Sequence, residues 1–393
     1  MQCYLDNAAT TRPFDEVREI MMRTLDSDFG NPSSKHLMGI EAEEYVEAAR
    51  ERIAKSLKVN KGNIVFTSGG TESNNQALIG TALALGRKGK HLITTCFEHA
   101  SVYNPMEFLR TRGYEITYLP VDSLGHVDPQ ALRDSLRKDT ILVSVMAVNN
   151  EIGSILNFTE LSEIAKEFDP DIVFHVDAIQ GYGKIPLYPK KMGIDMLSVS
   201  GHKILGPKGS GFLYIADGVR NLPIIYGGEQ QKNRRSGTEN VPAIAGFGKA
   251  VELYFKHQAD HIEKMYELKE YLIKQVDEKL TGCIVNAIDR KLPLSEAVRL
   301  TAPHIVSISF EGIKSEVLLH ALEDEEVYVS SGSACSSNHP GISGALKAIG
   351  VRKDLLDSTL RFSFGLFTTR EEIDHAVEAL ANLLPVYRKY TRK

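Results

Sequence analysis

The sequence predicts an α/β protein: a mostly parallel seven-stranded sheet covered by helices, joined to a smaller α+β domain. Short apolar runs alternate with amphipathic segments up to about residue 215. The texture then changes, after a helical pattern over about 241–280. At 393 residues the chain also exceeds the usual size of one domain. Strands that alternate with helical stretches form a parallel sheet, because each parallel pair needs a long crossover between its members.

The strand-like runs fall at 64–67, 92–95, 115–119, 141–148, 172–177, 195–200 and 211–215. Residues 220–240 are glycine-rich, basic and aperiodic, which predicts a loop. The helical pattern of 241–280 leads into further strands at 304–310 and 360–364. The expected division is a large domain over 15–255 and a small domain built from 1–14 and 256–393. No internal repeat or low-complexity tract interrupts this plan.

A composition of 42% hydrophobic and 25% charged residues is ordinary for a globular chain. The net charge of -5 disfavours non-specific attachment to nucleic acid or to an anionic membrane. No apolar run is long enough to span a bilayer, and the first residues lack the pattern of a signal peptide. The expectation is a cytoplasmic protein.

Four cysteines make neither a disulfide framework nor a metal-ligand spacing, so they read as free thiols. Cys3, Cys96 and Cys283 sit beside apolar residues, where cysteine usually serves as a small buried hydrophobe. Cys335 differs. It lies in Ser330-Ser331-Gly332-Ser333-Ala334-Cys335-Ser336-Ser337, too small and polar for a core element. A loop there lets a thiol reach a partner or a bound substrate.

The chemistry begins at Ser200-Gly201-His202-Lys203, which sets a lysine in a turn just past an apolar strand. An amine there can form a Schiff base with an aldehyde cofactor, although a solvated surface charge, as read for Lys208, is the commoner role of a lysine. Pyridoxal phosphate makes two further demands: an acid for its pyridine nitrogen and a cradle for its phosphate. Asp177 ends the run Ile172-Val173-Phe174-His175-Val176, and strand ends of a parallel sheet face the ligand crevice. Taken alone, it has a lesser alternative role as a helix cap. Ser68-Gly69-Gly70-Thr71 joins a strand to a helix, where glycine admits an anion close to free backbone N–H groups. The signals are individually weak, and they agree.

With these motifs in place, the chain resembles the cysteine desulfurases of the nitrogen-fixation and iron–sulfur-assembly type. These belong to the class V branch of the fold-type-I pyridoxal phosphate enzymes. The resemblance rests on Tyr4-Leu5-Asp6-Asn7-Ala8-Ala9-Thr10, the 67–75 segment, Glu98-His99, Asn149-Asn150-Glu151, 175–180, 200–209, Arg235-Ser236-Gly237-Thr238, 330–336 and Arg361-Phe362-Ser363. They run in family order over nearly the whole length.

The resemblance implies roles. Lys203 would hold the cofactor's aldehyde, Asp177 its ring nitrogen and Gln180 its ring hydroxyl, with His99 stacked on the ring and handling protons. Gly70, Thr71, Ser200 and His202 would bind phosphate, and Thr238 would reach it from a second subunit. Asn150 and Arg361 would hold the substrate, and Cys335 would accept sulfur. The implied reaction converts L-cysteine to L-alanine and leaves a persulfide on Cys335. The implied partners are a second copy of the chain and a sulfur acceptor, such as an iron–sulfur scaffold or a tRNA-thiolation enzyme. The alternatives are another lyase or aminotransferase of the same fold, such as a selenocysteine lyase, and a non-catalytic sulfur-relay protein.

Overall fold

Apolar and β-branched runs set the strands. Among the residues described by this computed structural model, 1–331 and 343–391, the early strands are β1 (Cys3–Tyr4), β2 (Ile64–Thr67), β3 (His91–Thr95), β4 (Glu115–Leu119), β5 (Thr140–Met146), β6 (Val173–Asp177), β7 (Met196–Ser200) and β8 (Gly211–Ile215). Then follow β9 (Cys283–Val285), β10 (Ile305–Phe310), β11 (Val327–Tyr328), β12 (Ser330–Ser331) and β13 (Thr359–Ser363).

The central sheet runs β2-β8-β7-β6-β5-β3-β4. Strand β8 is antiparallel to both neighbours, and the other pairs are parallel. All residues of β5 to β8 are buried, as a sheet covered on both faces requires. Side chains alternate between two cores. Ile64 and Phe66 face the helices Leu37–Leu57, Phe158–Phe168 and Val241–Lys256, whereas Val65 faces Gly70–Leu85 and Ala100–Thr111. The crossing of Leu37–Leu57 with Val241–Lys256 depends on Gly248, where a Cβ would lie 2.5 Å from that of Ala49.

A third core gathers Leu5, Leu272, Phe310, Phe362 and Leu380. It lies on the antiparallel sheet β12-β13-β10-β9 and the parallel pair β1-β11, under helices Gln258–Lys279, Ser315–Asp324 and Arg370–Thr391. After β1 the N-terminal segment crosses to the central sheet. Asn7 bonds to the Ser363 carbonyl, and the backbone N–H of Thr11 donates to the carbonyl of His202 at 2.9 Å.

Two expectations need correction. The helical pattern of 241–280 is two helices, Val241–Lys256 and Gln258–Lys279, broken at His257 (φ -127°, ψ 28°). The first packs Phe247 and Val251 on the central core, while the second packs Leu268 and Leu272 on the third, and one straight helix cannot serve both. Cys96 is exposed rather than buried, because β3 ends at Thr95 and the chain leaves the sheet there. The 220–240 loop holds one tight turn, Gln230–Asn233, with Gln231 and Lys232 in left-handed conformations. No helix among the described residues is long and apolar enough to cross a membrane.

Candidate active site

The C-terminal ends of the parallel strands converge on a cavity of about 310 Å³, as open α/β sheets place their ligands. Strand β6 delivers Asp177 and Gln180, and β7 delivers Ser200, His202 and Lys203. The loops after β2, β3 and β5 bring Gly70, Thr71, His99 and Asn150. Arg361 enters from β13, and Ala8 and Ala9 enter from the N-terminal segment.

Lys203 sits in a single helical turn, and its Nζ donates to the carbonyls of Ala8 and Ala9, both at 2.7 Å. The Ala8 carbonyl also accepts from Gln180 Nε2 at 2.9 Å. Gln180 in turn takes a bond from His304 Nε2 at 3.0 Å. Amine and amide are thus aimed by one carbonyl.

Asp177 Oδ1 accepts the Ile179 N–H at 3.0 Å, and its Oδ2 accepts Asn74 Nδ2 at 2.7 Å. Burial pushes this carboxyl above its ordinary value, against the pull of those bonds and of His99 and Lys203. Asn74 also donates to Ser101 Oγ at 2.8 Å, and its own Oδ1 is buried with no partner among the described residues. His99 Nδ1 accepts the Ser101 N–H at 3.1 Å, so the proton of the neutral ring is on Nε2. Burial holds that imidazole below its usual value, aided by Lys203 and opposed by Asp177.

Arg361 is 5% exposed. Its Nη1 donates to the Asn150 carbonyl and its Nη2 to Asp6 Oδ1, each at 2.8 Å. Its buried Nε has no partner among the described residues. His202 contacts Thr10 Oγ1 at 3.2 Å, and burial first, then the Lys203 cation, lowers it to about 4. It is therefore neutral near pH 7. Gly70 opens the helix Gly70–Leu85, and a Cβ there would come within 2.1 Å of Ile179 Cδ1. The helix N-terminus and its free N–H groups therefore open to the cavity at Gly70.

Two predicted residues are not brought into this cavity. Thr238 is exposed and lines a separate hollow with Ser68 and Arg235. Cys335 lies outside the described residues.

Other residues shape the site without having been assigned a role from sequence: Asn74, Asp6, His304 and Glu98. Glu98 Oε1 accepts from Thr95 Oγ1 at 2.6 Å and from the Met146 N–H at 3.0 Å. Its Oε2 is buried with no partner among the described residues, and burial raises the carboxyl to about 8. Its adjacency to His99 was the one signal in sequence.

Residues 3–376 match the family described as Aminotransferase class-V, and the chain belongs to it. Among its relatives is the cysteine desulfurase IscS of Dictyoglomus turgidum, 46% identical over 387 residues, which are 98% of this chain and 95% of the relative. Another is the cysteine desulfurase IscS of Methanosarcina thermophila, 41% identical over 388 residues, 98% of this chain and 92% of the relative. A solved NifS-like protein superposes with a TM-score of 0.90 at 36% identity, covering 98% of this chain and 100% of its own. The NifS-like protein of Rickettsia africae gives 0.86 at 30%, covering 98% and 100%. The fold-type-I architecture expected from the sequence is the one observed.

Proposed function

We propose that this chain is a pyridoxal phosphate-dependent cysteine desulfurase that converts L-cysteine to L-alanine and leaves a persulfide on Cys335. One observation carries the reading: a single cavity of about 310 Å³ holds a lysine amine, a buried aspartate, a neutral histidine and a buried arginine.

The residues fit the cofactor. Gly70 at the helix start, together with Thr71, Ser200 and His202, would form a cradle suited to phosphate. Asp177 is a buried carboxyl that a neighbouring ring cation would return to its charged form. Gln180 would serve the ring hydroxyl, and His99 the ring face. When bound, pyridoxal phosphate supplies an aldehyde for Lys203 and a protonated ring that withdraws electrons from the substrate α-carbon.

Arg361 would grip the substrate carboxylate, with Asn150 beside it and Asp6 fixing the guanidinium plane. The Lys203 amine would then take the α-proton as general base. Cys335, as thiolate, would attack the substrate sulfur: an S–S bond forms as the Cβ–S bond breaks, the β-carbon takes up a proton with the bonding pair, and a proton returned to the α-carbon by Lys203 gives alanine.

The division into a large cofactor-binding domain over 15–255 and a small domain from 1–14 and 256–393 is supported by the core around Leu272 and Phe362, which lies wholly in the latter segments, although the central core also takes in Ala8, Ile305 and Leu346. A homodimer is supported by the exposed apolar residues Phe29, Leu37, Tyr103, Phe108 and Tyr226, and by a Thr238 that faces away from its own cavity. A second copy would cover those side chains and bring its own Thr238 to this cradle. The thiols of Cys3, Cys96 and Cys283 are free, which suits a reducing cytoplasm. The sulfur acceptor would be an iron–sulfur scaffold or a tRNA-thiolation enzyme.

The test is to supply L-cysteine to purified protein loaded with pyridoxal phosphate, in the presence of a reductant. The reading expects alanine and sulfide in equal amounts, and none from Lys203→Ala. A keto acid in place of alanine would make the chain an aminotransferase instead.

A further inference from the structure

Behind the cavity wall lies a second lysine that the proposed reaction does not use. Lys184 is 6% exposed, and its Nζ donates to the backbone carbonyl of Lys203 at 2.8 Å. It follows Tyr182, whose buried ring packs edge-on against Phe212, so the turn that carries it is fixed. Among the described residues it has no carboxylate partner.

We propose that Lys184 is a positioning residue: it fixes the Lys203 turn through the backbone carbonyl and, when protonated, sets a buried positive charge beside the Lys203 amine. This rests on the reading of Lys203 as the aldehyde-binding group.

The electrostatics follow from the placement. Burial, then the Lys203 cation, pushes Lys184 down to about 7. A Coulomb interaction is mutual, so Lys184 disfavours charge on Lys203 by the same energy. Other titratable groups also face the pair. His202 is lowered to about 4 by burial, Lys203, Lys208 and Lys184. His304 is held well below its usual value by burial and then by Lys184, with Lys269, Arg361 and Lys203 adding to the effect. Both imidazoles are therefore neutral near pH 7. Asp177 and His99 act on Lys203 from the cavity side, and Asp177 there opposes Lys184. A lysine attacks an aldehyde or removes a proton only as the free amine, and a neighbouring cation is one recognised way to supply it.

The experiment is a pH titration of the visible absorption of full-length protein loaded with pyridoxal phosphate. Borohydride trapping and peptide mass spectrometry locate the cofactor. In Lys184→Met the spectral midpoint should rise by about one pH unit. Lys184→Arg, which keeps a donor and is always charged, should not raise the midpoint. If Lys184→Met does not fold, Lys184→Gln supplies a neutral side chain that can still donate. A neutral variant with an unmoved midpoint would overturn the proposal, as would Arg and Met variants that shift alike. Failure of both neutral variants to fold while Lys184→Arg folds would also overturn it, since the charge would then serve the fold. Label found away from Lys203 in the native protein would sink the underlying reading as well. Label on Lys203 with an unmoved midpoint would sink only the role of Lys184.

Discussion

Arg361 and Asp6 lie 355 residues apart in sequence and are joined by a 2.8 Å ion pair in which the guanidinium is almost wholly buried. The pair ties β13 to the N-terminal segment, and two residues further along that segment the Ala8 carbonyl holds Lys203. One strap thereby sets both the proposed substrate grip and the proposed base. Replacing Asp6 by alanine strands a buried cation and should cost about 2–3 kcal/mol. Urea unfolding should show this as a lowered midpoint, and KM for cysteine should rise more than kcat falls. An unchanged midpoint would mean that the pair does not organise the site.

Glu98 gives a pH signature. Its folded value of about 8 lies above the ordinary 4.5, so the folded state holds the proton more tightly than the unfolded one. Its contribution to stability is fully present below about 4.5 and is lost as pH rises through about 8. Glu98→Gln, which is isosteric and never charged, should flatten the loss. Denaturation curves recorded at about pH 5 and about pH 9 would measure it. Equal slopes in variant and native protein would show that Glu98 is already ionised at neutral pH.

Asp177→Asn keeps the shape and removes the charge. Bound pyridoxal phosphate should stay, because the cradle at Gly70, Thr71 and Ser200 is untouched, while kcat should fall on the order of 10²–10³-fold. Cofactor retention by absorbance and turnover by alanine release separate the two effects. A variant with near-native kcat would remove Asp177 from the chemistry.

Much of this site was legible in the sequence because its residues sit at strand ends. Asp177 and Ser200 close apolar runs, and Gly70 opens the helical run after β2, so period and punctuation locate all three. What escaped is tertiary. Glu98 stood out in the sequence only as the neighbour of His99, and it is the Met146 N–H on its Oε1 and the buried, unpartnered Oε2 that set its environment. Lys184 and Lys269 read as surface charges, yet both amines are buried against carbonyl oxygens. The break at His257 was hidden because both helices keep an apolar stripe, and the two stripes face different cores.

Thr238 offers a test of the homodimer by complementation. Thr238→Val should weaken pyridoxal phosphate binding about tenfold, the worth of one hydrogen bond to a charged group. Mixing it with Lys203→Ala should restore one full-affinity, active site per dimer, since the intact Lys203 would then face an intact Thr238 from the partner. Sedimentation should report two chains. Mixtures no better than the average of the two variants would place both residues in the same subunit's site.

The central claim is that Cys335 receives the sulfur. The most direct measurement is intact-peptide mass spectrometry of full-length, pyridoxal phosphate-loaded protein after brief exposure to L-cysteine without reductant. One added sulfur is expected on the peptide bearing Cys335, and in Cys335→Ala neither that mass shift nor appreciable alanine. Native-rate alanine release from Cys335→Ala, or the added sulfur on Cys3, Cys96 or Cys283 instead, would contradict it.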